Sequence, residues 1–362
     1  MDFKSKMIKK KCFKNNWITN KYQEMDIDPI LVEKAIYAFE LLGNLIENGI
    51  NLIFKGGTGL MLLIPEFKRL SIDIDIMSES DNESLNNAFN RIIKEGVFNR
   101  WEEDKRSLNY KITKRHLKFY YTSSIEKRES YILLDIVQSD YSFLHNIKRS
   151  IALPLFEVEK EIEVIVPTIN SYIGDKMTAF APNTIGIPYG KNKSMEIIKQ
   201  LFDLGILFEH ITDLKEIEQT YKKISQIEAS YRDIKKPINI FLDDSINASF
   251  IICQLDFRGS VKDEYAKELR EGIRRIKSHI LGGNYSLLNA KEDASKVACI
   301  ASLIRDNRLD INIENLKLGR KHFYKIKDIN LPNEFNILNK LKAVSPESFY
   351  LWSIATKITN YR

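Results

Sequence analysis

The chain has 362 residues, of which 44% are hydrophobic, 29% charged and 10% aromatic, and its formal net charge is +6. That balance excludes a disordered or fibrous chain, and no run approaches the roughly 18 apolar residues a membrane helix needs. The length suggests two domains, and the modest basic excess suits a polyanionic partner without identifying one.

Cys12, Cys253 and Cys299 are too few and too far apart for a zinc or disulfide framework. The stretch MDFKSKMIKKKCFKNNW is basic, with no apolar segment behind it. A reducing, cytoplasmic setting without membrane attachment is expected. His116, His145, His210, His279 and His322 show no metal-ligand spacing and read as ordinary histidines.

Residues 27–49, IDPILVEKAIYAFELLGNLIENG, repeat apolar side chains at helical spacing, with Ile30, Leu31, Ala35, Ala38, Phe39 and Leu42 on one broad face. Asp28 is placed to cap this helix, ahead of Pro29 at its first position. NLIFKGG reads as a short buried strand entering a glycine turn, TGLMLLI as a helix with Thr58 near its start, and RLSIDIDIM as a second strand. SLNNAFNRIIKEG is a further amphipathic helix.

NYKITKRHLKFYYTSS and SYILLDIVQSDY are two more strands. The first alternates and carries basic residues, and the second is almost continuously apolar around Asp135. EIEVIVPTINSYIGDKMTAFA gives a strand and then a helix, PNTIGIPYGKNKS a loop, and MEIIKQLFDLGILFE another helix. Beyond about residue 205 the strand signals fade. IEQTYKKISQIEASYRDI, VKDEYAKELREGIRRIKSHI and AKEDASKVACIASLIRD all have helical periodicity. The basic residues around Arg274 are either a solvated face or a contact for an RNA backbone. The expected fold is α/β (α+β): a mixed sheet with flanking helices over residues 1–205, then a mostly helical region over residues 206–362.

Asp73 and Asp75 interrupt an apolar run. Strand alternation points both carboxylates to one face, with Ile72, Ile74 and Ile76 on the other. Adjacent like charges repel and are expensive to bury unless a cation lies between them. Joined by Asp135 from another strand, they would make a hard oxygen site suited to Mg²⁺ or Mn²⁺. The preceding Gly56-Gly57-Thr58 turn, at the start of a helix, offers backbone N–H groups to phosphates. These parts together describe nucleotidyl transfer from a nucleoside triphosphate. The blander alternatives are an Asp-x-Asp facing solvent on an edge strand, and an Asp135 that is only salt-bridged.

Glycine turn, short helix and Asp-x-Asp strand, in that order, resemble the nucleotidyltransferase pattern of the DNA polymerase β superfamily. The chain is more closely similar to the AbiEii family, the toxin half of type IV toxin–antitoxin and abortive-infection systems. The residues that carry the resemblance are Lys55-Gly56-Gly57-Thr58-Gly59-Leu60, Arg69-Leu70-Ser71-Ile72-Asp73-Ile74-Asp75, Lys176 in GDKMTAF, and KQLFDL from Lys199 to Leu204. They span roughly residues 50–205. The resemblance implies Asp73 and Asp75 as metal ligands. It implies Thr58 on a phosphate with the turn amides, with Lys55, Gly56, Gly57, Arg69, Ser71 and Lys199 around the nucleotide. It also implies Lys176 on the triphosphate and Asp203 as the acid of the last motif. Lys199 and Gln200 stand where the family usually has arginine and aspartate. Taken alone, Lys176 reads as a solvated helix charge, and Asp203 as a local partner of Lys199 at i,i+4.

The expected function is metal-dependent transfer of a nucleotidyl group to an acceptor hydroxyl. The resemblance implies tRNA as acceptor, growth arrest as the outcome, and a separate antitoxin protein as partner. Two alternatives stand beside it: a nucleotidyltransferase acting on a small molecule such as an antibiotic, or on a protein, and a nucleotide-binding module without turnover.

Overall fold

The computed structural model describes residues 7–64, 66–104, 114–138, 145–317, 323–324 and 326–358. The expectations for residues 1–6, for His322, for the start of the NYKIT strand at 109–113 and for residues 139–141 fall outside these. The chain divides into two compact units, Met1–Thr168 with His279–Gly282, and Ile169–Ser278 with Gly283–Arg362. The boundary expected near residue 205 falls inside the second unit.

In chain order the first unit contains α1 (Asn15–Met25), α2 (Pro29–Glu47), β1 (Ile53–Lys55), α3 (Gly56–Leu60), β2 (Ile74–Met77) and α4 (Asn82–Glu95). Then come β3 (Arg100–Glu103), β4 (Lys114–Thr122), β5 (Glu129–Val137), β6 (Asn146–Ser150) and β7 (Glu163–Pro167). Among the described residues these strands form one mixed seven-stranded sheet in the order β3-β4-β5-β2-β1-β7-β6. β1 runs antiparallel to β2 and parallel to β7, while β2 runs parallel to β5.

α2 begins where its sequence says it should: the Asp28 carboxylate accepts the Ile30 N–H at 2.8 Å, with Pro29 in the first turn. Alternation on the strands gives the sheet one buried face. On it Phe54, Ile76, Phe119, Ile132, Leu134 and Ile136 are almost fully enclosed. α2 and α4 cover that face through ring contacts, Phe39 with Phe54 at 6.2 Å, Tyr37 with Tyr121 at 3.7 Å and Phe89 with Phe119 at 5.4 Å. Each such side chain contributes about 1.5–3 kcal/mol by leaving water. The buried Glu33 of α2 accepts the Ser124 N–H at 2.6 Å and the Ser123 hydroxyl at 2.5 Å. It thereby fixes the turn between β4 and β5, the strands that carry His116 and Asp135.

Two elements differ from their sequence expectation. The strand expected over RLSIDIDIM is confined to Ile74–Met77. Upstream of it the backbone finds other partners: the Asp73 carbonyl accepts the Thr58 hydroxyl at 2.6 Å, and Arg69 bridges to Ile280. The helix expected to open at Thr58 begins two residues earlier, because Gly56 adopts φ +76° and turns the chain directly into it.

The second unit is helical, as expected. It comprises α5 (Ile169–Ala179), α6 (Ser194–Phe208), α7 (Leu214–Tyr231), α8 (Ile238–Gln254), α9 (Glu264–Arg275), α10 (Leu287–Arg305), α11 (Leu341–Val344) and α12 (Pro346–Ala355). The proline- and glycine-rich loop between α5 and α6 is pinned by the buried Asp244 of α8. That carboxylate accepts the Asn183 N–H and the Thr184 hydroxyl, each at 2.8 Å. No helix of the described residues is long and apolar enough to cross a membrane.

Candidate active site

The glycine turn and the Asp-x-Asp segment are two halves of one interlocked structure. Lys55 on β1 is in register with Asp75 on β2. A Cβ on Gly56 would lie 2.0 Å from Asp75 Oδ2, so the carboxylate occupies the space that glycine leaves open. At Gly57 a Cβ would lie 2.6 Å from an Arg69 guanidinium nitrogen and 2.9 Å from Ser71 Oγ. The fully buried Thr58 donates its hydroxyl to the Asp73 carbonyl. Each residue of Lys-Gly-Gly-Thr therefore meets a partner in Arg-x-Ser-x-Asp-x-Asp. The Thr58 hydroxyl is committed to the backbone, and what it fixes is the position of Asp73.

A second relationship extends this site across the sheet. Asp75 is in register with Asp135 on the parallel neighbour β5, and Asp135 is in register with His116 on β4. Adjacent strands lie about 4.8 Å apart, so Lys55, Asp75, Asp135 and His116 form one row. His116 Nδ1 is 2.8 Å from Asp135 Oδ1. A carboxylate can only accept, so Nδ1 carries the proton and the contact fixes both the tautomer and the carboxylate. Nothing in the spacing of the histidines marked His116; the alternating strand around it was visible, but its pairing with Asp135 is set by tertiary register. Asp73 stands one residue before β2. It is exposed, Ile74 is buried, Asp75 is half-buried and Ile76 is buried, so both aspartates are off the buried face.

The remaining predicted residues belong to the second unit. Lys176 Nζ lies 2.7 Å from Asp203 Oδ2, with side-chain exposures of 7% and 4%. Lys176 also donates to Gln200 Oε1 at 3.2 Å. The solvated-charge reading of Lys176 does not describe what is seen, because its ammonium group is buried against Asp203. The motif residues of α5 and α6 close on each other as a buried ion pair, and Gln200, which departs from the family pattern, is part of the cluster. Lys199 lies 3.9 Å from Glu196.

Among the described residues no group of three or more His, Cys, Asp or Glu side chains is disposed to hold a metal ion, so Asp73, Asp75 and Asp135 do not form a closed triad. Asp75 and Asp135 still offer two carboxylates side by side. Mg²⁺ is commonly held by one or two protein carboxylates, the rest of its octahedron coming from substrate phosphates and water. The donor set fits Mg²⁺ or Mn²⁺ completed by a nucleotide.

Comparisons with known proteins identify the family. The family model described as the nucleotidyl transferase AbiEii toxin of type IV toxin–antitoxin systems matches residues 41–252. No curated protein matches the chain. Among solved structures, MenT4, a nucleotidyltransferase toxin of Mycobacterium tuberculosis, superposes with a TM-score of 0.50 at 11% identity, covering 94% of this chain and 98% of its own. A protein of Helicobacter pylori described as a nucleotidyltransferase gives a TM-score of 0.42 at 16% identity, covering 80% of this chain and 97% of its own.

Proposed function

Because the chain belongs to the AbiEii family of nucleotidyltransferase toxins, we propose that it transfers a nucleotidyl group from a nucleoside triphosphate to a hydroxyl at the end of a tRNA. The acceptor oxygen forms a bond to the α-phosphorus, and pyrophosphate leaves. The observation that carries the reading is the row Lys55, Asp75, Asp135 and His116, laid in register across neighbouring strands beside the glycine turn.

Asp75 and Asp135 are the residues that would hold Mg²⁺ or Mn²⁺, with Asp73 two residues before Asp75. The ion would supply charge to neutralise the triphosphate oxygens and the leaving pyrophosphate. Asp135, held by His116, is assigned the proton released by the acceptor hydroxyl. Lys55, in register with Asp75, is assigned to the phosphates. Gly56 and Gly57 leave the room that the Asp75 carboxylate and the Arg69 and Ser71 side chains occupy, and their backbone N–H groups, with Arg69 and Ser71, are assigned to the phosphates. Thr58 acts through Asp73 rather than on the phosphate. Lys176, with Gln200 and Asp203, is assigned to the triphosphate as a unit in which Asp203 fixes the lysine, and Lys199 to the same nucleotide. Catalysis of this kind rests on positioning and electrostatic stabilisation, which a rigid row of charged side chains provides.

A transferase of this kind is a toxin when its acceptor is essential to translation. A separate antitoxin protein would hold it in check, and a cell carrying the toxin alone would stop growing. The test is incubation with total RNA, Mg²⁺ and each labelled nucleoside triphosphate in turn. Label in the tRNA band supports the proposal. Label appearing only on protein or on small molecules would overturn the RNA acceptor, and no transfer under any condition would overturn the activity.

A further inference from the structure

The face of the sheet that bears Asp75 and Asp135 continues along β4 and β5 into a patch the reaction does not use. Cross-strand register pairs His116 with Asp135, Lys118 with Leu133, and Tyr120 with Tyr131. Residues spaced by two on a strand share a face, so Tyr131 stands on the same side as Asp135. The four-residue separation along β5 corresponds to about 13 Å.

The patch combines aromatic and cationic groups. The Tyr120 and Tyr131 rings are 5.7 Å apart. The Arg100 guanidinium covers the Tyr120 ring at 3.5 Å and is itself held by Glu102 and Glu129. Tyr120 donates its hydroxyl to Glu102 at 2.7 Å. Tyr120 is therefore locked on all sides, and it buttresses its neighbour. Tyr131 is different: it is 39% exposed, an unusual state for a large aromatic residue in mid-strand. Its ring has Lys118 Nζ at 5.1 Å and Lys34 Nζ at 5.7 Å.

An exposed ring, backed by a second ring and flanked by ammonium groups, is the combination that binds single-stranded nucleic acid. Bases stack on the ring, and cations meet the phosphates. Resting on the reading that RNA is the acceptor, we propose that Tyr131 is the stacking platform for the single-stranded end of that RNA, with Lys118 and Lys34 taking its phosphates. Stacked nucleotides advance about 3.4 Å each, so ~13 Å corresponds to about four of them. The base on Tyr131 is then about the fourth from the reacting hydroxyl. Such a platform selects for an unpaired end several nucleotides long. It is indifferent to base identity, because every base presents a π-face.

The test measures KM for the acceptor RNA and for the nucleoside triphosphate in wild type, Tyr131→Ala and Tyr131→Phe. Tyr131→Ala is expected to raise KM for RNA by about tenfold or more, the scale of one lost base–aromatic stack. Its KM for the triphosphate should move less than twofold. Tyr131→Phe keeps the ring and is expected to restore the RNA value. A second measurement needs no variant: wild type should show a several-fold lower KM for RNAs with six unpaired terminal nucleotides than for RNAs with one. Transfer to RNA with an unchanged KM in Tyr131→Ala, or an equal loss in Tyr131→Phe, would overturn the platform and leave the RNA acceptor standing. A wild type that labels no RNA would overturn the acceptor reading and the platform together.

Discussion

Gly56 and Asp75 share one space: the Asp75 carboxylate lies where any side chain at position 56 would begin, 2.0 Å from an ideal Cβ. Gly56 also has φ +76°, a backbone conformation that side-chain-bearing residues adopt only with strain. Gly56→Ala is thus expected to displace the carboxylate as well as strain the turn. Loss of stability by about 1–3 kcal/mol, with turnover reduced at least tenfold, is the expected result. Gly49→Ala is the control, because Gly49 has φ +83° with nothing within 4 Å of its would-be Cβ. If melting and turnover fall equally in both variants, the Gly56–Asp75 contact carries no weight.

Asp75→Asn preserves shape and removes one charge from the carboxylate pair. Turnover should drop by roughly two orders of magnitude or more, the scale of losing one electrostatic stabiliser. Stability should hold or rise, since neighbouring carboxylates repel when no cation lies between them. Cells expressing the variant should grow where the wild type arrests them. Full toxicity in the variant would return Asp75 to a structural role.

His116→Gln removes the imidazole that orients Asp135. Groups that orient a carboxylate at such a site are typically worth 10- to 100-fold, so kcat is expected to fall by about that factor. KM for the triphosphate should change little. A kcat equal to that of wild type would show that Asp135 needs no orientation from His116.

Burial changes what a lysine substitution should do. A solvated Lys176 could be truncated without harm to the fold, but here it is 7% exposed against Asp203 at 4%. Lys176→Ala should destabilise the second unit by about 3–5 kcal/mol, because it strands a buried carboxylate. The double variant Lys176→Met, Asp203→Leu should recover most of that stability while remaining inactive. Chemical denaturation measures the first, and the labelled-nucleotide assay the second. Recovery of activity in the double variant would remove both residues from the reaction.

Asp293 on α10 sets a pH dependence. Its carboxyl is largely enclosed, with the side chain 13% exposed; it accepts the Tyr285 hydroxyl at 2.8 Å and packs where a Cβ on Gly205 would be 1.9 Å away. Burial pushes its pKa from 3.8 up to about 7, opposed by the nearby Lys296. The folded chain then binds more protons than the unfolded one between these values. The stabilisation is complete below about pH 4 and is lost as pH rises through about 7. Asp293→Asn should flatten that slope and raise the melting temperature at pH 8. A wild-type slope retained in the variant would place the titration elsewhere.

Much of this architecture could be read locally. The cap at Asp28, the alternation around Asp75 and Asp135, and the glycine turn are all encoded within a few residues of where they act. Asp75 and Asp135 were legible as an acidic pair because each interrupts an apolar strand. Their register, and the place of His116 beside them, were not. The first depends on β2 and β5 becoming neighbours although Asp75 and Asp135 are 60 residues apart in sequence, and the second on the register of the consecutive strands β4 and β5, with His116 and Asp135 19 residues apart. The burial of Lys176 was hidden for a related reason: its partners sit on α6, one helix later, across the loop that Asp244 pins. α8 carries no clear amphipathic stripe, since it is apolar on most sides and enclosed along most of its length.

The bridge from Arg69 to Ile280, with the Leu281 N–H on the Lys68 carbonyl at 2.8 Å, has a consequence for how this gene can be cut. The tetrapeptide His279–Gly282 is contributed to the first unit from deep within the second unit's stretch of chain. A fragment stopped at Thr168 would hold both aspartates and every strand of the sheet, yet the segment leading into Asp73 would have lost its clasp. The two units cannot be divided by a single stop codon. A fragment meant to keep the fold of the first unit would have to carry residues 279–282 back as a linked peptide.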